Sequence, residues 1–440
     1  MAVHERTERC AAFYNCESRR LLRTLRGGTE AMRLAGTKYL PMEPAEEQIS
    51  YKRRLARSKL SNFTKRAIKN LSSKPFTRPI AISSERFQDV ADVYVNAIDR
   101  RGTSLTALAS TVFEDALWQG TSFIAVDASA VGGRPYAYHL SADNLLGFRL
   151  DEDDNITYLR IKETGIVEDG DFGEKSVGRV RIFKRFGDVV TWDLWEEGST
   201  GYQLVLADQA FGLSEIPVLP IHSSPVAGGE LLADAPLTDL AYLNLAHFQE
   251  DSDCSNILHI ASIPILFATG MGDDAVIKIG SESAIRTSTA DATLQFVEIT
   301  GASIAAGRQS LVDLESRMSA YGAEMLQNFG AIETATGRAL RAGENNNQIA
   351  MIASQMASGL EKVMGWISKF NKLTEPDFKV DIDLEYGINV SPQDLAALQQ
   401  ARTMGDLSRE DYLAELKRRG ILRNDFSQTA NEDRIATELV

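Results

Sequence analysis

Five histidines and three cysteines are the side chains in this 440-residue sequence best suited to hold a metal or attack a substrate. They are His4, His139, His222, His247 and His259, with Cys10, Cys16 and Cys254. His247 and His259 fall on one expected helix, too many residues apart to share an ion. His247 and Asp251, four residues apart, can face the same way on that helix, although packed or surface polar residues account for them better. No P-loop, nucleophile elbow, His-Glu-x-x-His or Gly-x-Gly-x-x-Gly pattern is present. The acidic run 151–154 lacks the glycine a calcium loop needs at its sixth place and reads as a hairpin turn. A second acidic stretch, 168–174, reads as a solvated loop. Trp118, Trp192, Trp195 and Trp366 are too scattered to stack bases. The sequence therefore gives no metal site, no cofactor site and no catalytic set.

Arg338 and Arg341 hold more interest. They lie on an expected Gly-rich surface loop, 327–343, with Gly330, Gly337 and Gly343. Either they pair with nearby carboxylates such as Glu333 and Glu344, or they face a phosphate backbone. Two arginines per chain make a weak nucleic-acid site, but repeated around a ring they make a belt of charge.

The elements flanking that loop are long helices. No proline occurs between Pro264 and Pro376, so nothing forces a break. Ile304, Leu311, Leu314, Met318, Tyr321 and Met325 form one narrow apolar seam. Ile349, Ile352, Met356, Leu360, Val363, Ile367 and Phe370 step by three and four to form another. Helices of this kind are expected to pack on neighbouring helices. Before them, a helix over 235–262, started by Asp234 and Pro236, ends at Pro264, and strands follow at 263–270 and 294–299.

Upstream, the chain is helical and then β-rich. A helix from Pro44 to about Leu71 carries acidic residues in its first turn and a dense basic face. Pro75 and Pro79 bracket an extended linker. Helices follow over 83–98 and 104–118. From 121 to 223, strands separated by turn signals read as a meandering antiparallel sheet. Beyond a strand at 380–384 come helices over 392–405 and 408–420, the second opened by Ser408. The last dozen residues read as loose. The fold class is α+β.

Charge is unevenly spread. The net is −14, yet residues 1–80 carry 18 Lys and Arg against 7 Asp and Glu, a net of +11. Residues 81–264 carry 12 against 29, a net of −17. The basic block suits either nucleic acid or an acidic surface of another subunit. The three cysteines lack Cys-x-x-Cys spacing, as expected of a reducing compartment. The opening MAVHERTERC has no signal-like apolar core, and no apolar run is long enough to cross a membrane.

Four stretches in a fixed order resemble the portal proteins of tailed bacteriophages, in a subfamily that opens with YLP and a basic helix. The first is Tyr39, Leu40 and Pro41 followed by EEQISYKRRLARSKLSNFTKRAIKNLSSKPF at 46–76. The second is PLTDLAYLNLAHFQEDSD at 236–253, running into IPILFATG at 263–270. The third is ETATGRALRAGENNNQIAMIASQM at 333–356. The fourth is LSREDYLAELKRRGIL at 407–422, trailed by EDRIATEL at 432–439.

The resemblance covers roughly 35–440. It implies a dodecameric ring at one capsid vertex, in the virion, assembled in the host cytoplasm. It implies an α/β wing over 1–230, stem segments at 231–269 and 301–326, and a small clip at 270–300. A tunnel loop at 327–343, a long wing helix and strand at 344–390, and a short helical crown at 391–440 complete it.

In these terms Asn328, Thr336, Arg338, Arg341 and Asn345 would border the DNA channel. Lys278 and Arg286 would lie in the clip, and Arg53, Arg54 and Arg57 would form an inter-subunit basic helix. The implied partners are copies of the same chain, double-stranded DNA, the terminase large subunit, head–tail adaptor or tail proteins and the major capsid protein, with no membrane. The chain would then not be an enzyme. The competing expectations are a metal-dependent nucleic-acid enzyme using Arg338, Arg341, Glu333 and Glu344, and a capsid-associated scaffold or adaptor.

Overall fold

The computed structural model describes residues 17–128, 133–261, 265–269, 293–297, 301–323, 335–382, 392–418, 421–422, 426 and 428–438. Two compact units divide the chain, Met1–Ile382 and Asp383–Val440.

The first unit opens with helices α1 (Glu17–Arg26), α2 (Gly28–Ala35), α3 (Gln48–Arg57) and α4 (Phe63–Ser73). The sequence suggested one basic helix from Pro44 to Leu71; the structure makes two, and the break has identifiable causes. The Ser58 carbonyl leaves the helical ladder and accepts from Arg33 Nε and Nη2 at 3.0 and 2.8 Å. The Leu60 amide donates to Thr29 Oγ1 at 3.2 Å. Asn62 then caps α4 by accepting from the Lys65 amide at 2.9 Å. The opening also differs, because α3 starts only at Gln48 and Glu46 is engaged elsewhere.

Strand β1 (Ala81–Ser83) follows the linker bracketed by Pro75 and Pro79, and α5 (Gln88–Asn96) starts later than the helix expected from Ser83. Helix α6 (Leu105–Gln119) has Ser104 as its cap and Gly120, at φ +84°, as its stop. A side chain on Gly120 would collide with the Ala233 backbone, so glycine is required there by space as well as by conformation. Helix α6 is buried along most of its length, through Leu105, Val112, Phe113 and Trp118.

The strand region forms two sheets rather than one meander. Strands β2 (Thr121–Asp127) and β3 (Tyr136–Ser141) are joined by the distant β9 (Val218–His222) in the order β3-β2-β9. Between them in sequence, β4 (Leu145–Leu150), β5 (Ile156–Asp169), β6 (Gly173–Phe186), β7 (Val189–Gly198) and β8 (Gly201–Ala210) form an antiparallel five-stranded sheet in chain order. Its core is Leu146, Val180 and Ile182, with Tyr158, Trp195 and Tyr202 packed on them. The 168–174 stretch is the tip of the long β5–β6 hairpin, with Glu168 opposite Glu174.

Helix α7 (Thr238–Ala261) begins after Pro236 and Leu237, later than Asp234 would have started it. Strands β10 (Ile265–Thr269) and β11 (Thr293–Val297) pair antiparallel, and helix α8 (Gly301–Ala323) follows. Helix α9 (Ala335–Phe370) runs for 36 residues. Positions 335–343 of the expected tunnel loop are therefore helical; positions 327–334 lie outside the described residues. The α9 seam is buried as the spacing indicated, at Ile349, Ile352, Met356, Leu360, Val363 and Ile367. It packs on β9 and β2, however, a sheet rather than helices. Gly359 allows this approach, since a Cβ there would meet Leu219 Cδ2 at 2.6 Å. Strand β12 (Lys379–Asp381) pairs with β1, placing Val380 opposite Ile82.

The second unit contains α10 (Pro392–Met404), α11 (Arg409–Arg418) and α12 (Gln428–Glu438). Ser408 caps α11, its hydroxyl accepting from the Asp411 amide at 2.9 Å. Helix α12 occupies most of the tail that composition marked as loose.

Candidate assembly surface

Three of the residues singled out in sequence, Arg53, Arg54 and Arg57, sit on α3 where it meets α7. Arg54 is 3% exposed. Its guanidinium forks onto Glu46, Nε to Oε1 at 2.9 Å and Nη2 to Oε2 at 2.8 Å. It also reaches Asp253 Oδ1 on α7 at 2.9 Å and the Pro41 carbonyl at 2.7 Å, and lies over the Tyr51 ring.

All this engages the whole planar fork of the arginine. The bond from Arg54 holds the Glu46 carboxyl below its usual value against the effect of burial. Burial raises Asp253 despite the same guanidinium. Arg54 is thus a pin joining the Tyr39–Pro41 element to α3 and α7, and is not available to a neighbouring subunit.

Arg53 and Arg57 remain exposed. They line a cavity of about 930 Å³ with Glu43, Glu47, Asn256 and His259. Arg57 Nη2 donates to Asn256 Oδ1 at 3.1 Å. With Glu46, Asp253 and Arg54 also lining it, four carboxylates face three arginines, so this opening has no dominant sign of charge.

Helix α4 carries the unbalanced face. Lys65, Arg66 and Lys69 are exposed together on its outer side. Lys65 Nζ reaches the Arg26 carbonyl at 3.4 Å, and Arg66 lies over Phe63. No Asp or Glu occurs between Glu47 and Glu85 to neutralise them. The opposite side of α4 is buried, where Ala67 meets Leu240 and Met318 from α7 and α8.

Helices α7 and α8 run antiparallel, since contacts that advance along one retreat along the other. His247 Nε2 lies 3.3 Å from Glu315 Oε1, Ser310 Oγ donates to Glu250 Oε2 at 2.7 Å, and Cys254 faces Gly307. His247 therefore partners Glu315 across the pair, with its ring edge-on to Phe63, rather than Asp251 on its own helix. Asn244 fixes α4 to the same pair, its Oδ1 accepting from the Thr64 amide at 3.1 Å.

Thr336, Arg338, Arg341, Glu344 and Asn345 all fall on the first turns of α9, within one helix rather than on a loop. Asn328, Glu333, Lys278 and Arg286, like His4, Cys10 and Cys16, lie outside the described residues.

Sequence reasoning missed a buried cluster around Asp115. Its carboxylate is fully buried and accepts from Gln119 Nε2 at 3.0 Å and Ser122 Oγ at 3.1 Å, pairs with Arg26, and lies 3.1 Å from His139 Nε2. Burial alone would raise Asp115, but the hydrogen bond and charge of His139, with Arg26, hold it well below the ordinary carboxylate range.

A serine, a histidine and an aspartate here do not make a nucleophile. His139 meets both Ser122 Oγ, at 3.0 Å, and Asp115 through the same Nε2. A relay needs opposite ring nitrogens for the two partners. The three come from a helix and two strands within one short stretch of chain, and their spacing matches no catalytic motif.

A second buried network joins the sheets. Arg181 on β6 donates to Asp127 on β2 at 2.8 Å, pairs with Glu163 at 3.2 Å and covers the Trp192 ring. Burial raises Glu163, and Tyr136, bonded to Asp127, is pushed up to about 12 chiefly by burial. His222 sits 3.1 Å from Thr121 Oγ1, and burial lowers its pKa. Among the described residues no group of three His, Cys, Asp or Glu side chains could hold a metal ion. Nor is any described helix long and apolar enough to cross a membrane.

A family model described as a domain of unknown function, DUF4055, matches residues 236–371, from just before α7 to just past α9. No curated protein matches this chain. Among solved structures, a chain from the neck of an empty GTA particle computed with C6 symmetry is similar at 10% identity and TM-score 0.46, covering 81% of this chain and 89% of that one. A chain from the virion of a native gene transfer agent (GTA) particle gives 12% identity and TM-score 0.42, with coverage of 81% and 89%. One from the neck of the native GTA particle computed with C12 symmetry gives 14% and 0.39, with coverage of 80% and 89%.

Proposed function

We propose that this chain is the subunit of a portal ring of a tailed bacteriophage, a structural channel at one capsid vertex through which double-stranded DNA is packaged and ejected. One observation carries the reading beside the sequence resemblance. Two long antiparallel helices, α7 and α8, are joined at one end through the paired strands β10 and β11. This is the order a stem–clip–stem segment requires. The 36-residue α9 follows it and returns to the sheet-bearing part of the unit.

The charge balance also suits a channel. A net of −14 gives a mostly repulsive wall, past which DNA slides without the salt-dependent holding energy that each phosphate contact adds. Arg338 and Arg341, once per subunit, would supply a restricted basic belt. Packaging energy would come from a separate terminase ATPase, with adaptor, tail and major capsid proteins docking on the outside of the ring. The chain itself would carry out no catalysis.

Negative-stain electron microscopy of the purified protein, with its mass measured in solution, tests the reading. Dodecameric rings with a central hole are expected. A compact dimer that cleaves DNA with magnesium would replace it with the nuclease reading, and a particle without an axial channel would favour a scaffold or adaptor.

A further inference from the structure

The β5–β6 hairpin outgrows its own sheet. Strand β4 pairs with β5 only as far as Ile161, and β7 pairs with β6 only from Arg179 onward. Six register pairs, from Thr164 opposite Gly178 to Asp169 opposite Gly173, are laddered to no third strand, although Glu197 and Tyr202 reach the base of the arm at Gly178 and Val177 there is buried. At about 3.4 Å per residue this is a two-stranded arm of roughly 20 Å. Two strands alone are marginal in water.

The arm nevertheless spends apolar side chains on solvent. Phe172 at its tip is fully exposed and Ile166 is 70% exposed. Around them the arm carries Glu168, Asp169, Asp171 and Glu174 against one exposed lysine, Lys175. An exposed aromatic ringed by carboxylates fits a surface that is positive and offers aliphatic stems.

The outer face of α4 is such a surface. Lys65, Arg66 and Lys69 stand together, exposed and with no ion pair among the described residues, and Arg66 lies over the Phe63 ring. Helix α4 packs on α1, α6, α7 and α8 of its own chain, and the arm's exposed tip shows that its own α4 does not receive it. We infer that the tip of the β5–β6 arm, led by Phe172, docks on the Lys65, Arg66 and Lys69 face of α4 in a second copy of this chain.

The contact joins two different patches, and is therefore heterologous, the kind that closes a ring. It deepens the ring reading and rests on it for biological meaning. It also moves the basic inter-subunit face from α3, where Arg54 is spent internally, to α4.

The test places p-benzoylphenylalanine at Phe172 in the full-length protein. Light and isotope-labelled chains are mixed, irradiated and mapped by mass spectrometry. Crosslinks between chains to the 59–74 peptide are expected. Lys65→Glu/Arg66→Glu/Lys69→Glu should reduce them about tenfold, the combined effect of a few exposed ion pairs. Adding Glu168→Lys/Asp169→Lys/Asp171→Lys/Glu174→Lys to that variant should restore them, which a folding defect would not allow.

Rings in the microscope whose crosslinks map elsewhere, including to another virion protein, overturn the arm contact and leave the ring reading standing. Interchain crosslinks to 59–74 in a sample without rings keep the contact and remove the ring. A sample with neither removes both.

Discussion

Arg54 and Glu46 meet through two parallel hydrogen bonds, 2.9 and 2.8 Å long, that close the segment after Pro41 onto helix α3. Both side chains are nearly buried, and Asp253 of α7 shares the guanidinium. Removing one partner of such a pair strands the other charge. Arg54→Ala should destabilise the chain by about 3 kcal/mol. Arg54→Lys should recover less than half of that, because an ammonium cannot make the fork. Chemical denaturation of the two variants checks this; equal stability of Arg54→Lys and the wild type would show that the fork is immaterial.

The second prediction concerns pH. Asp115 has its folded value held below the unfolded value of about 3.9. A depressed carboxylate contributes stability that is complete above the unfolded value and disappears as pH falls through the folded one. Asp115→Asn should therefore cost about 3 kcal/mol near neutrality, where the Arg26 guanidinium loses its counter-charge. The gap from wild type should narrow as pH falls below about 4. Unfolding curves at stepped pH read it directly, and a gap constant down to the lowest pH would contradict the assignment.

Helix packing gives the third. A Cβ built on Gly307 would lie 2.7 Å from Cys254 Sγ across the α7–α8 pair. Gly307→Ala should cost about 1 kcal/mol from overpacking. In a Cys254→Ala background the same change should gain about 1 kcal/mol, as alanine normally does over glycine in a helix. The double-mutant cycle measures the coupling; strict additivity would mean that the helices do not approach as described.

The fourth bears on the channel. If Arg338 and Arg341 meet phosphate, Arg338→Ala/Arg341→Ala rings should assemble in normal yield. The log–log salt dependence of their DNA binding should flatten by about 0.9 for each phosphate that the variant no longer neutralises. Unchanged slopes would place these arginines away from the DNA.

Much of the architecture follows from periodicity. The α9 seam was readable because every third or fourth residue is apolar over many turns, and each of those positions from Ile349 to Ile367 is buried. The strands read at 145–150 and 218–222 are β4 and β9, because turn residues bound both on each side. Ser408 announced α11 because capping depends on the residues immediately after it. The uneven charge, and the absence of any metal-binding or nucleophile spacing, were likewise properties of order along the chain.

What needed the folded chain was every relationship between distant residues. The break between α3 and α4 depends on Arg33, Thr29 and Asn62 taking up backbone groups that a helix of that composition would otherwise satisfy itself. The pairing of β1 with β12 joins three-residue strands too short to have a period. Arg54 read as one of three arginines on an inter-subunit basic helix. Its burial was set by Glu46 and Asp253, one of them 199 residues away. The Asp115 cluster gathers residues from α1, α6, β2 and β3. Hydrophobic period and capping are local and survive in the sequence. The partner of a charge is chosen by packing, and packing is decided only when the helices and sheets close on one another.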